Sequence, residues 1–393
     1  MSSRDAPLYL KRCTYALTIC NALAVAVFFA SRHALRIFLP EVAGTQECAG
    51  ARGRGGGPLV AVSGFHKSGI FLSRKLAGAA CLRLDACCAF HPPDATRAQL
   101  AASAARPEVS VMFHYHPLLN AFAGPRRVVL WRDPRSKLLS TLAYHRRGVE
   151  RWAVDDAALS RRAVAEDLCG ALQLGARAPA SSSFCTNSVG DPSRFFRRAC
   201  RRFLSTDAAA ERRAGEAVAA AARRALAARL TEEPRALAAV LRSSTVADGC
   251  VVAGAVAAFD TLEMALFVNA TRRASGALLL KLDDVVADFS AAADALVAFF
   301  GSAGGRLGRR ARADAAGLRR SFLAFDLRGA TLDAHQYRAF DRVVTRHSSS
   351  RRYERAAGRE LRALLCGRGA DRDLRAILAP AFALLGGDMC DAT

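Results

Sequence analysis

Short runs of branched apolar residues alternate along this chain with segments whose apolar residues return every three or four positions. Residues 59–62 (Leu-Val-Ala-Val) form the first run, and Phe71, Leu72, Lys75 and Leu76 open a helical repeat behind it. Residues 109–113 and 128–131 have the same short, apolar, strand-like character, and the second gives way to a helix at Arg132-Asp133-Pro134. Asp133 suits the N-cap and Pro134 the first turn. A later run, Leu278-Leu279-Leu280-Lys281-Leu282-Asp283-Asp284-Val285, leads into an amphipathic segment over 291–300. Strands that alternate with helices predict an α/β fold of three layers, α/β/α, around a mainly parallel sheet of about four or five strands. Ligands of such sheets bind at the carboxyl ends of the strands.

Two stretches break this alternation. Residues 13–30 carry no charge, are flanked by Lys11-Arg12 and Arg32, and are just long enough to span a bilayer. Extension to residue 39 requires Arg32 and Arg36 to snorkel. This organisation predicts a cytoplasmic tail over 1–12, a membrane anchor over 13–39, a Gly- and Arg-rich linker over 40–57 and a catalytic domain over 58–393. A cleaved signal peptide ending near Ala30-Ser31 is the rival reading of the same run. Residues 150–245 form an Ala- and Arg-rich insertion. Within it, 207–230 reads as a helix whose apolar residues are mostly alanine, and which therefore buries little, at the periphery of an acceptor cleft. Residues 251–270 then read as one core helix, with Phe259, Leu262, Leu266 and Phe267 at helical spacing.

The candidate chemistry lies where the strands at 59–62 and 128–131 turn into helices. Gly64, Phe65, His66, Lys67, Ser68, Gly69 and Ile70 carry the chain from a strand to a helix. Such a turn aims backbone N–H groups and the positive end of the helix at one point, where a phosphate or sulfate binds. Lys67 sits in that turn, one of five lysines among 57 basic residues, so a compact ammonium stands where the chain elsewhere uses guanidinium. Arg132 closes the other strand, and Ser140 follows eight residues later, about two turns into the helix, where the two side chains grip one phosphate. Two anion grips imply a nucleotide with two anionic ends.

On these residues the chain resembles the sulfotransferases that use 3′-phosphoadenosine 5′-phosphosulfate (PAPS). Lys67-Ser68-Gly69 is similar to the family's 5′-phosphosulfate loop, and Arg132 with Ser140 to its 3′-phosphate pair. The acidic turn after residue 281 and the basic stretch around Arg351 are looser likenesses. The resemblance covers roughly 58–146 and 250–390. It implies a P-loop-like sulfotransferase fold and transfer of sulfonate from PAPS to a hydroxyl of a carbohydrate, glycan or glycolipid, without a metal. It also implies a single-pass type II protein of the Golgi membrane with a lumenal catalytic domain. Ile70 departs from the pattern, because the family places a threonine or serine there; one lost hydrogen bond to a charged group weakens binding about ten- to a hundredfold. The alternative is a membrane-anchored basic protein that binds glycans or anions with impaired catalysis.

For the base that accepts the hydroxyl proton, His114 and His116 end the strand 109–113 on one face, and sequence does not separate them. Membrane-bound relatives often use a glutamate instead.

A net charge of +22 fits an acidic acceptor, but nearly all of it is arginine spread through alanine-rich stretches, and no nucleic-acid signature accompanies it. The ten cysteines downstream of residue 30 allow disulfides in an oxidising compartment, while the adjacent Cys87-Cys88 without CxxC or His spacing argues against zinc. Asn269-Ala270-Thr271 is a glycosylation sequon. Lys67 precedes Gly69, the reverse of a nucleoside-triphosphate loop, and Asp371-Arg372-Asp373 falls in a basic tail, where it reads as solvated surface.

Overall fold

The structure, a computed structural model, describes residues 59–65, 67–91, 97–106, 109–115, 126–148, 153–154, 159–172, 199–326 and 351–390. The tail, anchor and linker expected over 1–57 lie outside the described residues, as do His66, His116 and the loop 181–187. No single described helix is long and apolar enough to cross a membrane.

Five strands form one sheet: β1 (Val60–Gly64), β2 (Cys87–Phe90), β3 (Val109–Tyr115), β4 (Arg126–Trp131) and β5 (Ala277–Lys281). Every pairing is parallel and the order is β2-β3-β1-β4-β5. That order differs from the 3-2-1-4-5 of dinucleotide-binding sheets and the 2-1-3-4-5 of flavodoxin-like ones. The run of buried residues along β1, all five of them, is what a central parallel strand covered on both faces requires. The expected α/β class and parallel sheet are therefore present.

Helices α1 (Ile70–Arg83), α2 (Arg97–Ala104) and α3 (Pro134–Arg147) follow β1, β2 and β4. Two short turns, α4 (Arg161–Glu166) and α5 (Leu168–Ala171), precede α6 (Ala209–Ala227), α7 (Leu237–Ser243), α8 (Val246–Val256) and α9 (Ala258–Arg272). After β5 come α10 (Leu282–Ala287), α11 (Phe289–Gly301), α12 (Gly305–Ala313), α13 (Ala315–Leu323), α14 (Arg351–Cys366) and α15 (Arg372–Leu385). Residue alternation along the strands sorts these onto two faces. Val129 packs with Met264 and Phe267 of α9, whereas Gly64 lies against Ser73 of α1 and Leu130 against Gly69.

Two expectations are corrected. The stretch 251–270 is not one helix: α8 and α9 meet at Ala257 with a bend of 58°. The alanine-rich insertion is not peripheral either. Val218, Ala221, Ala222, Ala225 and Leu226 of α6 are fully buried in a core cluster shared with α3, α8, α14 and α15. Small side chains let the helix axes approach closely, so the burial comes from the partners' larger residues as much as from α6 itself.

Disulfides join Cys81 to Cys88, Cys169 to Cys200 and Cys366 to Cys390, and Cys87 is also disulfide-bonded. Cys250 is a free, buried thiol. The sequon falls within α9, with Thr271 buried.

Candidate functional site: the crevice between β1 and β4

β1 and β4 are neighbours in the sheet, and the helices that follow them diverge. α1 covers one face on its way to β2, while the path from β4 ends in α9 on the other face. A crevice outside the carboxyl ends of two such strands is the switch point where α/β sheets bind ligands.

The loop at the end of β1 is held from both sides. Phe65 is fully buried and meets Phe267 of α9 edge-on, 5.8 Å between ring centroids. The Ser68 N–H donates to the Phe65 carbonyl (2.9 Å). Lys67 (φ 58°) and Gly69 (φ 84°) are left-handed, with Ser68 between them at ordinary negative φ. Alternating left- and right-handed residues are the backbone pattern of an anion nest, here beside the positive end of α1 and with the Ser68 N–H already donated to Phe65. Left-handed backbone at a residue with a Cβ costs about 1 kcal/mol or more, and Lys67 carries that strain at the mouth of the crevice. Gly64 is needed for contact, because a Cβ there would stand 2.7 Å from Ser73 Oγ.

The hydroxyls of this loop face inward. Ser68 Oγ donates to Met264 Sδ (3.3 Å) and Ser73 Oγ to the Gly69 carbonyl (3.1 Å), and both residues are fully buried. Ile70 is buried too. Neither serine supplies the hydroxyl that Ile70 lacks, so the loop offers an anion its main chain and Lys67.

Arg132 crosses to meet this loop. Its Nη1 donates to the Lys67 carbonyl (3.4 Å) and its Nε to Asp283 Oδ1 in the first turn of α10 (3.2 Å). Asp133 caps α3 by accepting from the Arg135 N–H (2.9 Å), with Pro134 in the first turn as the pattern predicts. The loops after β1, β4 and β5 thus converge. Ser140 is half-buried on α3, on the helix stripe that also carries Lys137, Thr141 and Tyr144.

The Lys67 ammonium lies 2.7 Å from the centroid of the Tyr144 ring, a cation–π contact. Beneath it Lys137 of α3 is ion-paired with Asp260 of α9, both sealed from water. Glu263, one turn along, pairs with Arg202 (2.8 Å). Burial lowers the Lys137 pKa, opposed by Asp260, and raises that of Asp260, opposed first by Lys137 and then by Lys67.

His114 is 2% exposed, and its Nε2 is 3.2 Å from Ser63 Oγ on the neighbouring strand. It sits near the carboxyl end of β3, bonded across to the neighbouring strand β1. Arg351 begins α14, and its side chain lies outside the described residues.

Asp283 brings in the acidic turn after β5, and Tyr144 and Asp260 join the site without having been singled out from sequence. Their signals were present: Tyr144 follows Ser140 by four on the same helix, and Asp260 and Glu263 are two acids three apart in an otherwise apolar helix. Asp371 and Asp373 are structural. Asp371 caps α15 and binds Arg229 (2.6 Å), and Asp373 binds Arg224 (2.8 Å). A polar recess of about 330 Å³ lined by Arg229, Arg235, Ser244 and Asp248 lies elsewhere among the helices. Its Arg229 is spent on Asp248 and Asp371, as a brace between α8 and α15. Among the described residues no group of three or more His, Cys, Asp or Glu is placed to hold a metal ion.

Compared with protein-family models, curated proteins and solved structures, the chain matches none.

Proposed function

We propose that this crevice binds PAPS and that the protein transfers its sulfonate to a hydroxyl of a carbohydrate acceptor, on a fold of the P-loop-like sulfotransferase kind. The observation that carries the reading is the bond from Arg132 to the Lys67 carbonyl. Two basic corners, each at the end of a central strand, share one crevice within reach of a single nucleotide. The nest at 67–69 and Lys67 would hold the 5′-phosphosulfate, and Arg132 with Ser140 the 3′-phosphate. In the reaction the acceptor oxygen attacks sulfur, the S–O bond to the 5′-phosphate breaks, and its electron pair leaves with adenosine 3′,5′-bisphosphate. Lys67 offsets the charge developing on the leaving oxygen; a preorganised donor of this kind contributes about 3 kcal/mol. The acceptor's proton goes in this reading to a histidine at the end of β3, His114 or His116.

Calorimetry with adenosine 3′,5′-bisphosphate tests the donor site. Lys67→Ala and Arg132→Ala should each weaken binding about ten- to a hundredfold. Absence of binding to the wild-type chain removes the enzyme reading. A second reading, an anion- or glycan-binding protein with impaired catalysis, is favoured by one specific feature: Ile70, Ser68 and Ser73 all turn inward, leaving the 5′-phosphate without a side-chain hydroxyl. Transfer of radiolabelled sulfonate from PAPS into a panel of glycans and lipids separates the two.

A further inference from the structure

Lys137 and Asp260 are 0% and 1% exposed, and taking such a pair out of water generally costs about as much as its attraction returns. Stability alone gives no reason for placing it there. Its surroundings do. Lys137 and Tyr144 lie seven positions apart on one stripe of α3, and the Tyr144 ring carries the Lys67 ammonium. On α9, Asp260 shares a stripe with Met264, one turn further on, whose sulfur accepts the hydroxyl of Ser68, the residue after Lys67. Two helices thus bring the pair beneath the loop from two directions.

Resting on the donor-site reading above, we propose that Asp260 is a positioning residue for Lys67: its carboxylate, shared between Lys137 and the loop, holds the Lys67 ammonium against the Tyr144 ring at the crevice floor. Facing the loop at Lys67 are the Tyr144 ring beneath its ammonium, Arg132 at its carbonyl with the partner Asp283, and the buried Lys137–Asp260 pair, whose carboxylate feels the Lys67 charge. Asp260 feels the charge of Lys67 as well as that of Lys137, and Glu263 on the same helix is ion-paired with Arg202. The geometry gives Lys67 a fixed starting position from which to meet a phosphate at the nest beside it.

The chain has five lysines, 11, 67, 75, 137 and 281, so each is separately observable by NMR in the full chain labelled with ¹³C at the lysine ε-carbon. An ε-methylene over an aromatic face is displaced upfield by the ring current, and Tyr144→Leu identifies the Lys67 signal by abolishing that displacement. Asp260→Asn should move the Lys67 signal to the position of the solvated lysines. Because Asp260→Asn leaves Lys137 unpaired in the core, the double variant Lys137→Met/Asp260→Asn, with no buried charge in the pair, serves where the single variant does not fold, and should show the same loss. Glu263→Gln, equally buried on the same helix, should leave the displacement intact. Retention of the upfield signal in the folded Asp260 variants overturns the proposal, and so does its loss in Glu263→Gln. The readout needs no donor: a wild-type chain that fails to bind adenosine 3′,5′-bisphosphate sinks the sulfonate-transfer reading and leaves the Lys67–Asp260 measurement standing.

Discussion

At Gly69 the loop turns into helix α1 with a backbone angle of +84°, which any side chain makes costly. A Cβ there would stand 2.9 Å from a methyl of Leu282, a flexible neighbour, so the cost is mainly conformational. Gly69→Ala should therefore lose about 1 to 2 kcal/mol in chemical denaturation. Weaker binding of adenosine 3′,5′-bisphosphate is expected with it, since the nest depends on that angle. Lys75, five residues into the same helix, offers a test by pH. Burial lowers its pKa from 10.5 to about 8, and its Nζ lies 5.3 Å from the Phe325 ring centroid. A group that releases its proton more easily when folded makes stability rise with pH, here between about 8 and 10.5. Below that window both states hold the proton, and the penalty for burying the charge is constant. Lys75→Met removes that contribution to the slope, and the thermal midpoints of the two proteins should converge as pH rises from 8 to 10. Little of this residue-scale detail was legible in sequence. The anion loop and Arg132 could be read because glycine, lysine and the strand end fix local geometry. The inward turn of Ser68 could not, because it depends on Met264, 196 positions away.

At the scale of elements, four of the five strands were legible, the four-residue β2 (Cys87–Phe90) was not, and the helices were less so. The buried stretch of a parallel strand must be apolar, so the runs 59–62, 109–113, 128–131 and the one that begins at Leu278 announce themselves, while the strand ends at Arg126, Arg127 and Lys281 do not. Helix α6 shows why alanine misleads. Counting its own apolar area makes it look peripheral, yet Gly215 lies so close to the preceding segment that a Cβ would stand 2.6 Å from Phe203 Cβ and 3.2 Å from its backbone. Gly215→Ala improves helix propensity by about 1 kcal/mol. At this position the clash should win, with a net loss of about 1 to 3 kcal/mol in urea unfolding. A gain in stability instead would show that α6 does not pack at this distance. The bend at Ala257 was hidden for a related reason. The apolar repeat runs through it without proline, and every residue of α8 from Gly249 to Val256 is buried, so periodicity had no polar face to follow.

For the whole molecule, what sequence could not supply is order. Periodicity identifies strands but not their neighbours, and only the arrangement β2-β3-β1-β4-β5 places Lys67 and Arg132 at adjacent strand ends. The charge of the chain poses the opposite difficulty, since it is plain in sequence and says little about the site. A net +22 predicts binding to any polyanion, weakening as salt rises. Removing one charge of that number should leave retention on immobilised heparin nearly unchanged, so Arg132→Ala should elute within a small margin of the wild type across a salt gradient. The same substitution should weaken adenosine 3′,5′-bisphosphate binding about tenfold or more, because it removes a group aimed at one phosphate rather than a share of a diffuse field. Loss of both together would mean that Arg132 belongs to a polyanion-binding surface and that the crevice has no separate role. Loss of bisphosphate binding alone would separate the strand-end site from the background charge in which it sits.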